Sequence, residues 1–191
     1  MVPSKILLLQ ETKIEEEALL LLSKNKWRFT SGKAVSARGT CGGLATLWSA
    51  ENFQLLNFYA TQHWIFIELF HSANKISVSL FNLYVPVNYV EKQVCWRTLS
   101  EFLESLSPIK IILAGDLNIS LVLNVKKGGL RGKDFMHDSV EELIQDWSLI
   151  DLKPKQVHFT WSNNRVGVAC ISSRLDQFLV QSSLIDEKNI I

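Results

Sequence analysis

The chain has 191 residues, 47% of them apolar and 20% charged, which suits one globular domain and excludes a disordered or low-complexity protein. Twenty basic residues against nineteen acidic ones leave a net charge of +1, which excludes a protein that coats nucleic acid by bulk charge but leaves room for a local basic site. No apolar run approaches the roughly 18 residues that span a bilayer, and Gln10 and Glu11 end the first run too early for a signal peptide, so the chain reads as intracellular with no membrane partner.

Ile6–Leu9 reads as the first short strand. Thr12 and Glu15 are spaced as a capping box ahead of a helix with Ile14, Ala18, Leu21 and Leu22 on one face. Leu44–Trp48, Phe53–Tyr59, Trp64–Phe70 and Ile76–Val85 follow as consecutive strands without helices between them, which excludes an all-parallel sheet. Ile76–Val85 is apolar on both faces, as a strand covered on two sides would be. A second helix, from about Asn88 to Leu106, repeats Leu99, Phe102, Leu103 and Leu106. Ile111–Ala114 is another buried strand. A third helix carries Val140, Leu143, Ile144 and Trp147, with Ser139 and Glu142 placed as its capping box, and Phe159–Trp161 and Leu175–Val180 are the last strands. The expected architecture is α/β, with two packed mixed sheets and helices outside, in a single domain over residues 1–191. Cys41, Cys95 and Cys170 are odd in number and share no metal-like spacing, so they read as reduced thiols and not as a zinc site.

Two of these strands end in acids. Ile6–Leu9 runs into Gln10-Glu11, and Ile111–Ala114 runs into Gly115-Asp116-Leu117-Asn118. Asp116 and Asn118 are two apart, so an extended backbone would point both side chains the same way, and Gly115 permits close approach just before them. Two carboxylates and an amide oxygen make a hard-oxygen donor set of the kind Mg²⁺ takes. Acids at strand ends are more often solvated turn residues, and spacing alone favours that reading.

Six segments occur in a recognisable order: Leu9-Gln10-Glu11-Thr12-Lys13, Gly42-Gly43-Leu44-Ala45, Asn82-Leu83-Tyr84-Val85-Pro86, Leu113-Ala114-Gly115-Asp116-Leu117-Asn118, Phe159-Thr160-Trp161-Ser162-Asn163-Asn164, and Ser173-Arg174-Leu175-Asp176-Gln177-Phe178-Leu179. Together they resemble the successive motifs of the endonuclease/exonuclease/phosphatase superfamily. The last two are most similar to endonuclease domains of plant LINE-type non-LTR retrotransposons. The resemblance implies a four-layer α/β sandwich of two mixed sheets packed face to face, with helices outside. It also implies hydrolysis of a phosphodiester with Mg²⁺ or Mn²⁺, DNA as partner, and the nucleus as location. Glu11 would bind the metal, Tyr84 would hydrogen-bond the phosphate, Asp116 would orient or deprotonate the attacking water, Asn118 would hold phosphate or water, and Asp176 would orient a catalytic imidazole. On the residues alone, Tyr84 also fits a rim tyrosine of a sheet, and Asp176 a partner for Arg174 or Lys188.

The sequence departs from the family pattern in two places. An earlier strand ending in Asn and a later Ser-Asp-His motif are both lacking, and His63, His71, His137 and His158 all precede Asp176. On the resemblance the domain is therefore truncated, incomplete at both ends with unpaired edges that favour self-association, and its catalysis is expected to be impaired. A non-catalytic nucleic-acid- or protein-binding module on the same fold is the alternative. A phosphatase acting on lipids or small phosphates ranks third. Lys126, Lys127, Arg131 and Lys133, among Gly128, Gly129 and Gly132, form an expected loop that could follow a phosphate backbone or be an ordinary solvated turn.

Overall fold

The computed structural model describes residues 5–39, 42–106, 110–121, 126–128, 133–155 and 159–186. They form two compact units, one of Met1–Tyr84 with Pro108–Gly115, the other of Val85–Ser107 with Asp116–Ile191. No helix among the described residues is long and apolar enough to cross a membrane.

The first unit is built on two sheets. β1 (Ile6–Gln10), β2 (Thr30–Val35) and β3 (Leu44–Ser49) form an antiparallel sheet in the order β1-β3-β2, with Thr46 between Leu8 and Lys33. β4 (Phe53–Ala60), β5 (Trp64–His71) and β6 (Ile76–Tyr84) form an antiparallel meander. β7 (Ile111–Asp116) runs beside β6 in parallel, since Ser79 N donates to Lys110 O and Val85 N to Asp116 O in the same register. The first sheet packs on β5 and β6, and every residue from Val78 to Leu83 is buried, as the two-sided apolar pattern required. In β4 the register shifts between Leu55 and Asn57, so Leu56 is an extra residue in the edge strand.

α1 (Glu16–Lys26) covers β2, and here the structure corrects two expectations. Glu15 is the N-cap without a side-chain bond, Thr12 Oγ1 has no hydrogen-bond partner among the described residues, and Glu16 N instead donates to Ser36 Oγ. The buried residue is Leu19, against Ala34, Ala45 and Leu47, while Leu21 and Leu22 are more than half exposed and Ile14 is exposed too. Four consecutive leucines satisfy any helical face, so the choice falls to the small residues of β2, where Gly32 leaves room for Leu20.

The two sheets of this unit are stitched together by one buried amide. Asn82 on β6 accepts from Gln10 Nε2 at 2.5 Å through Oδ1, and its Nδ2 donates to Leu9 O at 3.2 Å and Ala45 O at 2.9 Å. Strands β1 and β3 are thereby tied to β6, and every polar atom of the amide is satisfied.

The second unit holds α2 (Tyr89–Ser105), β8 (Lys126–Lys127), α3 (His137–Asp146), β9 (Leu149–Asp151), β10 (Trp161–Ser162), β11 (Ser172–Ser173), β12 (Asp176–Gln181) and α4 (Ser182–Asp186). β9 pairs antiparallel with β12, and β10-β11-β8 form a small antiparallel sheet. α2 starts where expected: Asn88 Oδ1 accepts from Val90 N and Glu91 N, and Leu99 and Leu103 are fully buried. α3 begins two residues before Ser139. Its start is held by Asp134 Oδ1, which accepts from Met136 N, so the expected capping box is not used. β2, β8, β9 and β11 went unread because they are short or carry small polar residues where apolar runs were sought. Cys95 is a free, buried thiol whose pKa burial pushes up to about 12, and Cys170 is free as well; Cys41 lies outside the described residues.

Replacing Asn82 by Leu should destabilise the protein by about 2–4 kcal/mol, because Gln10 Nε2 and two backbone carbonyls would lose their buried partner. Urea denaturation of the variant measures this, and a loss under about 0.5 kcal/mol would show that the amide is dispensable.

Candidate functional site

β1 leads directly into Glu11, and the Gly42-Gly43 backbone shapes the loop that follows. Thr12 N donates to Gly43 O at 3.2 Å and Lys13 N to Gly42 O at 3.0 Å. Gly43 has φ +89°, and a Cβ there would lie 2.3 Å from Thr12 Oγ1, so only glycine fits. Glu11 and Lys13 both take left-handed backbone angles, φ 49° and 57°. The bend brings Glu11 to Tyr84, whose hydroxyl donates to Glu11 Oε1 at 2.5 Å. Tyr84 ends β6 two residues after Asn82 and so shares its face of the strand. Lys13 Nζ lies 3.9 Å from the other oxygen, Glu11 Oε2. The first unit thus joins two of the expected site residues, Glu11 and Tyr84, in an exposed charge-assisted contact.

Gly115, at the end of β7, has φ +132°, and a Cβ there would meet Leu83 O at 2.1 Å. The glycine expected to permit close approach does so, letting β7 lie against β6.

Asp116 and Asn118 belong to the second unit. They are not joined by an extended repeat: β7 stops at Asp116, Leu117 is fully buried, and Asn118 turns to φ 47°. The cause is local, because Asp116 Oδ1 accepts from Asn118 N at 2.8 Å and closes a turn. Asn118 Nδ2 donates to Val85 O at 2.6 Å, which fixes the amide and leaves Oδ1 as its acceptor end. Leu117 N donates to Leu175 O at 3.0 Å, so the Ser-Arg-Leu-Asp segment lies against this turn.

Asp176 itself is exposed at the start of β12, where its N and that of Leu175 both donate to Thr160 Oγ1 at 3.0 Å. Arg174 does not pair with it. Its guanidinium is buried and holds both oxygens of Asp151 on β9, at 2.6 and 2.5 Å. Lys188 lies outside the described residues.

One residue that sequence reading missed underlies the turn. Lys92 is 4% exposed, and its Nζ donates to Asn118 O at 3.0 Å and to Asp134 Oδ2 at 2.7 Å. The available signal was its spacing, four residues before Trp96 and seven before Leu99, on the stripe of α2 that is buried. A lysine on an apolar stripe needs a buried partner.

The basic segment is only partly a loop. Lys126 and Lys127 form β8, Lys133 pairs with Asp138 at 3.0 Å, and Gly129, Arg131 and Gly132 lie outside the described residues, as does His158. His137, Asp138 and Glu141 bring ligand atoms within 4.8 Å of one another on α3, a grouping apart from the expected metal ligand Glu11.

Removing the ammonium with Lys92→Met should cost about 2–4 kcal/mol, since Asp134 would be left without its charge partner and Asn118 O without its donor. Denaturant titration tests this, with Asp134→Asn added to recover part of the loss; a single variant as stable as the unsubstituted chain would refute the clamp.

No family profile and no curated protein matches the sequence. Solved structures match its fold. The AP endonuclease LMAP from Leishmania major aligns with a TM-score of 0.70 at 18% identity, over 95% of this chain and 71% of its own. The endonuclease domain of TRAS1, a telomere-specific non-LTR retrotransposon, gives 0.65 at 15% identity, over 92% and 83%. An endonuclease/exonuclease/phosphatase family protein from Bacteroides thetaiotaomicron gives 0.61 at 14%, over 94% and 70%. The chain therefore has the endonuclease/exonuclease/phosphatase fold.

Proposed function

We propose that the chain is a nuclease-type phosphodiesterase domain of retrotransposon origin, acting on DNA with Mg²⁺. The observation that carries this reading is the Glu11–Tyr84 contact, together with a clamped Asp116–Asn118 turn, in a fold shared with two endonucleases. Each unit offers hard-oxygen donors of the kind the cation takes: the Glu11 carboxylate in the first, the Asp116 carboxylate and the Asn118 amide oxygen in the second. Glu11 would hold the metal. A bound Mg²⁺ would supply positive charge against the phosphate and the leaving oxygen. Tyr84 offers its hydroxyl to a non-bridging phosphate oxygen, Asp116 orients or deprotonates the attacking water, and Asn118 steadies phosphate or water beside it. Asp176 would orient an imidazole.

Cleavage by this chain is expected to be slow. A positioned imidazole contributes about 10²–10⁴ in rate, and two of the chain's four histidines are already engaged elsewhere. His71 stacks on Phe53 and accepts from Asn74 N, and the buried His137 is held near Glu141.

A non-catalytic nucleic-acid-binding module on the same fold is favoured by one contact. The Lys13 ammonium near Glu11 Oε2 balances the carboxylate without a metal ion.

Nicking of supercoiled plasmid separates these readings. The expected result is slow, Mg²⁺-dependent nicking that either Glu11→Ala or Asp116→Ala lowers by about 100-fold or more. Salt-sensitive DNA binding without nicking selects the binding module. Nicking that survives both substitutions, or no affinity for DNA, overturns the proposal.

A further inference from the structure

His63 is a described histidine to which the proposed chemistry gives no task. It lies in the turn between β4 and β5, within the first unit. The turn is firmly built. Thr61 N donates to Trp64 O at 2.9 Å, and Thr61 Oγ1 accepts from His63 N at 3.2 Å and from Trp64 N at 3.1 Å.

Register decides where the imidazole goes. Trp64 lies opposite Leu83 and Ile65 opposite Asn82. Tyr84 N donates to His63 O at 2.8 Å, which carries the pairing one residue past β5 and sets His63 opposite Tyr84. The aromatic residues identify the two faces. Trp64 and Phe66 both pack on Phe81, with ring centroids 6.1 and 5.0 Å from it, so these three share one face of the sheet. Side chains alternate along a strand, so His63, like Ile65, belongs to the other face, that of Asn82 and Tyr84. Directly opposite residues on one face hold their Cβ atoms about 4.5–5.5 Å apart. Imidazole and phenol are therefore neighbours at the rim where Tyr84 meets Glu11. Both residues are half-buried, so each keeps an edge that a ligand can reach.

We propose that His63 is a further phosphate-binding residue, donating an imidazole N–H to a non-bridging oxygen of the same phosphate that the Tyr84 hydroxyl contacts. The proposal rests on the nuclease-type reading and adds a second donor to its phosphate site. Two donors on adjacent strands reach two oxygens of one tetrahedral phosphate, which orients a group that a single donor would let swivel. An imidazole serves this task neutral or protonated, since a ring nitrogen carries a proton in either state.

The test is a double-mutant cycle on DNA affinity, read by fluorescence anisotropy with a short duplex and no divalent metal, so that no cleavage intervenes. The unsubstituted chain, His63→Ala, Tyr84→Phe and the double variant are compared, with urea denaturation to confirm folding. His63→Ala should raise Kd about tenfold, the scale of one hydrogen bond to a charged group. His63→Gln, which keeps an N–H donor, should recover most of that loss. In the double variant the two losses should depart from additivity by about threefold or more, because both donors serve one phosphate. Equal affinity of His63→Ala and the unsubstituted chain overturns the assignment while leaving the nuclease-type reading in place. So do losses that simply add, which would put His63 on a separate contact, and so does a His63→Gln variant as weak as His63→Ala, which would make the role one of shape. An unsubstituted chain without salt-sensitive affinity for the duplex removes the nuclease-type reading, and the assignment falls with it.

Discussion

The first unit depends on a single buried primary amide. A sheet buried on both faces has nowhere to put polar groups, yet Asn82 sits in the middle of one and is fully hydrogen bonded. Its partners come from two strands far from it in sequence, β1 and β3, so it fixes how the two sheets slide against each other. A slip of one residue would turn β6 over and remove Tyr84 from the face it shares with Asn82. The Glu11–Tyr84 contact is a rim consequence of that registry, since Gln10, bonded to Asn82, immediately precedes Glu11.

The second unit solves a similar problem with charge. Among its described residues two cations are buried, each matched by a carboxylate from another element: Lys92 by Asp134 and Arg174 by Asp151. Paired burial of this kind adds little net stability compared with a well-packed apolar core, but removing either partner is costly, so the arrangement selects one geometry more than it strengthens the fold. What it selects is the position of the Asp116–Asn118 turn, through Asn118 O on one side and the Leu117–Leu175 bond on the other.

Much of this was legible in the sequence, and what was not has a physical reason. The strands from Ile6 to Asp116, β2 apart, announce themselves by their apolar runs, which are mostly buried in β3, β5, β6 and β7, and α2 because its cap and its stripe agree. β2 reads Thr-Ser-Gly-Lys-Ala-Val, too small and polar to signal a strand, because its task is to leave space for α1. The face of α1 was misread for the same reason: leucines 19 to 22 carry no phase, and the partner surface chooses. Glu11, Tyr84, Asp116 and Asn118 were found as members of motifs. Asn82 stood inside one of those motifs without its role being visible, and Lys92 and Asp151 were not found at all, since their meaning lies in partners dozens of residues away.

The extra residue at Leu56 has a consequence for how the molecule keeps to itself. β4 is an edge strand, and its outward backbone groups would otherwise offer a straight template for another chain to zip onto. The bulge interrupts that row and twists the strand, so an incoming strand can match one half of the edge but not both. Deleting Leu56 would smooth the edge, since Leu55 and Asn57 already pair with Leu69 and Glu68, neighbours on β5. The bulge therefore guards against fibre-like growth.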